Sequence, residues 1–424
     1  MDATVLHSVN AMPAPTWHRL AMNCATIDVP DGLALEHRAD VRCDAALIGE
    51  AGAFDAALRG LQVRTFGTPE AACSLDAAKG LVDHATSPAG QDGFNPLDAT
   101  ALSAFQARAA AVEAARSVAD AFETGMGPEA LDFLREASGA AVVLATAPGD
   151  APAQASVRAF ALEGALNACA LDVVVADGTE LDLALTHESG KVSRGMIGSS
   201  LRAYVGRGAT LRLSVTQAAG EGVTVLDDSG VVLDEGARLD VRHSVLGGDA
   251  AYGGLACDLR GAGSSASVTT RYIGQNSQER DFNFVMRHRG ENTASSLNAT
   301  GVLAGNSAKT LRGTIDFVRG CKGAEGSEVE NVLMTSDDAV NRSVPVILCG
   351  EDDVAGNHGA TIGSMNPEQM FYLESRGLSP QAAEAMALRA VVENACFDAP
   401  DSFARAAVTA FGRVHFPNFD ESVA

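Results

Sequence analysis

The sequence predicts a mainly β chain, a solenoid of stacked strands flanked by helical segments at both ends. Three observations carry this reading. Between Ala141 and Gly363 long helical patterns vanish, and short alternating apolar–polar segments separated by Gly, Asp, Asn and Ser replace them. Within that stretch a Gly-led pattern recurs every 27 to 28 residues. Outside it, helix start signals and 3.6-residue apolar spacing dominate. The organisation that follows is a mixed, largely helical region over 1–140, a β core over 141–365 and a helical domain over 366–424.

In chain order, the stretch from Leu97 to Glu123 is Ala-rich, with Leu102, Phe105, Ala109, Val112, Ala115 and Val118 at helical spacing. Gly125 and Gly127 end it, and Pro128 opens a shorter helix through Leu131, Phe133 and Leu134. Leu171–Val175, Thr210–Val215 and Arg238–Val241 alternate as strands with one buried face. The repeat reads Gly208-Ala209-Thr210-Leu211, then Gly236-Ala237-Arg238-Leu239, with further starts at Gly263 and Gly290. One coil cannot bury its inner face alone, whereas stacked coils share a continuous core, so a steady period in strands points to a solenoid. A sandwich or barrel with coincidental spacing is the competing architecture. Past Gly363, Asn366 caps a helix begun by Pro367 and stopped at Gly377. Ser379-Pro380 starts a second helix to about Cys396, and Phe403 to Val414 forms a third. Such helices are expected to cover the exposed edge strands of the solenoid.

A formal charge of −23 over 424 residues opposes binding to a phosphate backbone or an anionic bilayer, so neither nucleic acid nor membrane is expected as a partner. No stretch approaches the roughly 20 apolar residues that span a bilayer. The start, Met1-Asp2-Ala3-Thr4-Val5, lacks the basic and apolar regions of a secretory signal. The eight cysteines are scattered without a Cys-x-x-Cys pair. Together these lead us to expect a cytoplasmic protein with reduced thiols.

Phosphate-loop, dinucleotide-loop, nucleophile-elbow and zinc-helix signatures are absent from the sequence. If ATP drives the work of this protein, another chain hydrolyses it. The pairs Asp227-Asp228, Asp337-Asp338 and Asp352-Asp353 do not make two-carboxylate sites alone, because adjacent strand residues point to opposite faces. His358, in Asn357-His358-Gly359-Ala360-Thr361, has small neighbours that permit close approach of another chain or a cofactor. Its imidazole can ligate iron, shuttle protons or rest hydrogen-bonded at an interface. Cys349 can share a metal with His358 if the two lie on neighbouring strands, but its Val346–Cys349 setting reads as packed core. Cys321, between Gly320 and Lys322, sits in a loop-like, cationic setting and is the better candidate for a reactive thiol.

The run from Gly313-Thr314-Ile315-Asp316-Phe317 to Gly377 closely resembles the core of the SufB/SufD family of SUF-system iron–sulfur cluster assembly proteins. The matching residues include Val332-Leu333-Met334-Thr335, Pro345 and Asp352-Asp353-Val354. They continue through His358-Gly359-Ala360-Thr361-Ile362-Gly363 to Phe371-Tyr372-Leu373-Glu374-Ser375-Arg376-Gly377-Leu378. Pro15-Thr16-Trp17-His18-Arg19-Leu20 is similar to a SufD-type start. The resemblance implies a right-handed parallel β-helix between helical segments. It implies a scaffold subunit, not an enzyme, that pairs with a SufB-like paralogue and docks a SufC-type ABC ATPase through its C-terminal helices, with Phe371, Tyr372, Arg376 and Gly377 as partner-binding residues. It also implies an iron–sulfur cluster held transiently at the interface near His358, and none bound permanently. The SufD member is the closer likeness: the SufB assembly cysteine would fall near Val329, where no Cys stands, and SufB typically carries Glu-His-Glu-Ala-Thr where this chain has Asn357-His358-Gly359-Ala360-Thr361. A Cys shortly before the His, frequent in SufD proteins, is replaced here by Ala355-Gly356-Asn357. Two other functions compete. A SufB-like scaffold pairing with itself is one. A β-helix polysaccharide lyase or hydrolase is the other, and a single Trp and 5% aromatics count against its sugar-stacking platforms.

Overall fold

The computed structural model describes residues 4–13, 22–66 and 122–423. The Ala-rich helix expected from Leu97 falls, up to residue 121, outside the described residues, as does the Pro15–Leu20 motif. The chain divides into two units. Phe54–Phe122 is one of them, and apart from Phe122 its described part lies in helix α1 (Ala53–Phe66). The rest is the other, and all that follows concerns it.

Strands β1 (Thr4–Val9) and β2 (Ala25–Val29) form an antiparallel hairpin, followed by β3 (Ala34–Glu36) and β4 (Ala39–Cys43). Helix α2 (Pro128–Ser138) leads into β5 (Ala141–Ala145), β6 (Ala153–Phe160), β7 (Ala165–Val175), β8 (Glu180–Glu188) and β9 (Gly195–Val205). Then come β10 (Thr210–Ala218), β11 (Val223–Leu233), β12 (Arg238–Val245), β13 (Ala250–Leu259), β14 (Ser265–Gly274) and β15 (Glu279–His288). The last coils hold β16 (Ala294–Leu303), β17 (Ala308–Phe317), β18 (Ala324–Met334), β19 (Val340–Cys349) and β20 (Val354–Gly363). Helices α3 (Pro367–Ser375), α4 (Pro380–Phe397), α5 (Ser402–His415) and α6 (Phe419–Val423) close the chain. Among the described residues no helix is long and apolar enough to cross a membrane.

From β6 onward even-numbered strands stack in one parallel sheet and odd-numbered strands in another, giving a flattened solenoid of about eight turns. The sandwich and barrel alternatives are thereby excluded. Strict register carries one inward residue onto the next. Leu183, Leu213, Val241, Val268 and Leu297 form one such column across five coils. Stacked β-branched and Leu side chains of this kind fill the lumen, at about 1.5–3 kcal/mol for each side chain removed from water.

The repeat marks a corner. Gly208, Gly236 and Gly263 have φ of 61°, 63° and 67°, a region that residues with a Cβ seldom enter. The amide of each donates to the coil above, Gly208 to Glu235 O at 2.8 Å and Gly236 to Ala262 O at 2.9 Å. The next corner residue is Asn292 (φ 54°), not the expected Gly290. That coil is longer, with Ser265 in register with Ala294, and Asn is among the few residues with a Cβ that enter the left-handed conformation.

The sequence reading expected the C-terminal helices to cover the edge strands; instead they lie on a sheet face. Leu388, Val392, Val408 and Phe411 on α4 and α5 pack with Ala218, Leu246, Ile273 and Val302 on the outer face of the even-numbered sheet. Among the described residues, strands β19 and β20 therefore end the two sheets with one side of each unpaired.

Candidate functional site

The last two coils break the apolar pattern of the lumen. In the column described above, Leu297 is followed by Glu328 on β18 and then by His358 on β20. One column over, Ala299 is followed by Glu330 and Ala360. Both glutamates are buried. Lys309, fully buried on the facing strand β17, makes an ion pair with Glu330. Glu330 also accepts from Tyr272 Oη at 3.3 Å and from the Ser343 hydroxyl. The same ammonium donates to Arg342 O at 3.2 Å. Burial lowers the pKa of Lys309 and raises that of Tyr272, while the Glu330 charge holds the lysine proton in place. Such a pair is costly to break from one side, because the remaining charge has no water to turn to.

Glu328 has no hydrogen-bond or ion-pair partner among the described residues. Burial pushes its carboxyl up to about 7, the Glu330 charge adds to this, and Lys309 opposes it. Gly313 on β17 makes room for it, since a Cβ there would sit 2.2 Å from Glu328 Oε1.

A second polar station lies deeper in the lumen. His187 Nε2 and Ser199 Oγ are 3.0 Å apart, and Ser199 donates to Asp227 Oδ1 at 3.0 Å. His243 Nε2 accepts from Gln217 at 3.1 Å and lies 3.6 Å from Asp227 Oδ2. Burial lowers the imidazoles to about 3 for His187 and about 4 for His243, so both are neutral, and raises Asp227 to about 6. Asp228 points the other way, bonded to the Met126 amide at 2.8 Å, as two adjacent strand residues must.

The residues singled out from sequence are scattered. His358 is exposed on the open side of β20, facing the same way as Glu328. Cys349 ends β19, in the other sheet from His358, and is exposed, not packed in the core; its thiol donates to Glu351 O at 3.2 Å. Cys321 does sit in a turn, but fully buried against Ile315, Phe317 and Ala324. Burial pushes its thiol up to about 11, the opposite of a reactive thiolate. Among the described residues no group of three or more His, Cys, Asp and Glu is placed to hold a metal. Val329 lies exposed on the outer face of β18.

Helix α3 carries the remaining predicted residues and buries none of its own. Asn366 accepts from the Glu368 amide at 2.9 Å and forms a capping box with Gln369. Phe371 and Tyr372 are 72% and 56% exposed, and the Arg376 guanidinium lies 5.2 Å from the Tyr372 ring centroid. Gly377 (φ 88°) terminates the helix, with its amide on Glu374 O and the Leu378 amide on Leu373 O. Sequence reading missed Glu328, Glu330, Lys309 and Tyr272. The signal was a coil spacing stretched to 31 residues, Ala294 to Glu325, which hides the glutamates' register with Leu297 and Ala299.

Comparison with known proteins places these features. Residues 161–391, more than half of the chain, match the family described as SUF system FeS cluster assembly, SufBD core domain. The chain is 28% identical over 131 residues to the iron–sulfur cluster assembly protein SufD of Bacillus subtilis, covering 31% of this chain and 30% of that protein. It is 24% identical over 200 residues to SufB of the same organism, covering 47% and 43%. A SufBD-family iron–sulfur cluster assembly protein of Mycobacterium tuberculosis is 33% identical over 129 residues, covering 30% and 15%. The chain thus spans less than half the length of these curated relatives. With the family's core domain running through the coils that carry the buried glutamates and His358, the chain belongs to the SufBD family of SUF-system iron–sulfur cluster assembly proteins.

Proposed function

We propose that this chain is a SufD-type scaffold subunit that pairs through its last coil with a SufB-like paralogue and docks an ABC-type ATPase through its C-terminal helices. The observation that carries the pairing is the pair of unpaired edges on β19 and β20, with His358 exposed at the open end. An uncovered edge offers a row of backbone donors and acceptors to another chain. The ATPase surface is α3, whose Phe371 and Tyr372 face solvent. The assignment as SufD-type rests on Val329, where a SufB cysteine would stand, and on Asn357 before His358. The nascent iron–sulfur cluster is cargo, and the His358 imidazole offers it a lone pair at the interface.

The test is co-expression with a SufB-like paralogue and the ATPase, with iron and sulfide measured per purified complex. His358→Ala is expected to leave the complex assembled and its thermal midpoint within about 2 °C while iron and sulfide fall severalfold. Unchanged iron and sulfide would remove His358 from the function. A second pairing fits the same open edges, a copy of this chain. A homodimer formed in the presence of the paralogue would favour a self-paired scaffold over the SufD-type reading.

A further inference from the structure

Three strands of the even-numbered sheet carry a polar block on the outer face that α4 and α5 partly cover. Strand alternation turns Val215, His243 and Thr270 into the lumen, so the residues on either side of each face outward. Register then sets Ser214, Arg242 and Thr269 side by side across β10, β12 and β14, with Thr216, Ser244 and Arg271 as the next row. Neighbouring strands are about 4.8 Å apart, so adjacent members of these rows can reach one small ligand. These six residues line a cavity of about 290 Å³, walled on the helix side by Ala395, Asp398 and Pro400 where α4 turns toward α5.

The charges in this cavity do not cancel. Two guanidiniums line it against a single carboxylate, in a chain of net charge −23. Asp398 is ion-paired with Arg271. Arg242 has no ion-pair or hydrogen-bond partner among the described residues, and neither have the hydroxyls of Ser214, Thr216, Ser244 and Thr269. Thr216 is 5% exposed, so its hydroxyl is nearly out of bulk water without a protein group to bond. Asp240, also on the outer face of β12, lies on the far side of Arg242 from Ser244 and stands in register with Arg212.

We propose that this cavity binds a phosphate group, free or carried by a small organic molecule, with Arg242 supplying the charge and the surrounding hydroxyls donating to the remaining oxygens. A planar guanidinium matches two oxygens of a tetrahedral oxyanion. A carboxylate has too few oxygens for donors arriving from three strands. The volume is at the lower end for small-molecule sites and leaves room beyond the phosphate for a short carbon chain. The site uses neither open edge and does not rest on the scaffold reading.

The experiment titrates inorganic phosphate and, separately, glycerol phosphate into the purified full chain by calorimetry, at neutral pH and fixed ionic strength, with thermal midpoints recorded. The wild type is expected to bind one equivalent saturably, and its midpoint to rise as the site fills. Arg242→Gln alters an exposed side chain and is expected to weaken binding at least tenfold, with the ligand-free midpoint within about 2 °C of the wild type. Thr216→Val is expected to weaken it at least threefold. Asp398→Asn releases Arg271 to the ligand and is expected to tighten binding at least threefold, a gain that damage to the fold would not produce. Arg212, in the neighbouring groove, is engaged by Glu180 and Asp182, so Arg212→Gln is expected to leave binding unchanged. An equal loss in Arg212→Gln would reduce the effect to net charge and overturn the proposal. So would wild-type affinity in Arg242→Gln, or no saturable binding of either probe. Tighter binding of glycerol phosphate supports a site for an esterified phosphate, and tighter binding of the inorganic ion supports a site for free phosphate.

Discussion

Asp227 shows what a single lumen residue costs and when. Its carboxylate is buried with two neutral imidazoles and, among the described residues, no cation, held by Ser199 and Gln217. Its folded pKa, about 6, lies above the ordinary value, so folding favours the protonated form. That contribution is full below about pH 4 and is lost as pH rises through 6. The histidines act in the opposite sense, because their lowered values favour the neutral ring, and their contribution is lost as pH falls from 6.5 toward 4. Asp227→Asn keeps an acceptor for Ser199 and removes the charge. It is expected to stabilise the chain at pH 7.5 by an amount on the order of 2 kcal/mol, with roughly half of the gain left at pH 5 and little of it below about pH 4. Urea midpoints of both chains across that range measure it, and a gain that grows on acidification would contradict the sign.

At the scale of elements, two surfaces differ in kind. The segment at Gly125 and Met126 lies backbone to backbone on β13, where a Cβ on Gly254 would meet Met126 N at 2.3 Å and Gly125 C at 2.4 Å. Neither strand nor segment can yield, because Gly125 N is bonded to Ser229 O and Met126 N to Asp228. Gly254→Ala is expected to cost about 3 kcal/mol or more, read as a drop in the denaturant midpoint. Helix α3 is the reverse case, capped at both ends but with no buried side chain. Phe371→Ala with Tyr372→Ala is expected to leave the thermal midpoint within about 1 °C and to weaken ATPase co-purification at least tenfold. A normal yield of ATPase would place its dock elsewhere. Removing all the C-terminal helices is a poorer test, since α4 and α5 shield the sheet face around Leu246 and Ile273.

At the scale of the whole solenoid, the decisive property is that its two terminal strands have one unpaired side among the described residues. Residues 355–363 are all exposed, so the terminal strand is an open edge among the described residues. Gly359 has no heavy atom within 4 Å of a would-be Cβ. Gly359→Lys therefore adds a charge to the open edge without disturbing the fold, the device by which natural sheets refuse edge pairing. Capture of the SufB-like paralogue is expected to fall at least tenfold with the thermal midpoint unchanged. Undiminished capture would mean that pairing does not use this strand.

The sequence alone determined the solenoid, its helical C-terminus and the family, because these depend on local signals. Period-two alternation and a turn residue at each corner are visible in Thr210–Val215 and at Gly208 and Gly236, and Asn366-Pro367 announces its helix. Where coils lengthen, the signal fails: Asn292 took the corner assigned to Gly290, and the register of Glu328 with Leu297 went unseen. Cys321 and Cys349 were misjudged because burial at a corner depends on what the next coil places over it. Only the tertiary structure decided that the helices lie on a sheet face and, among the described residues, leave one side of β19 and β20 unpaired. It also decided that Lys309 answers Glu330 from the opposite sheet and that Glu328 is left unanswered beside His358. The reason is physical: residues far apart in the chain acquire their charge partners and their water only when stacked coils bring them together.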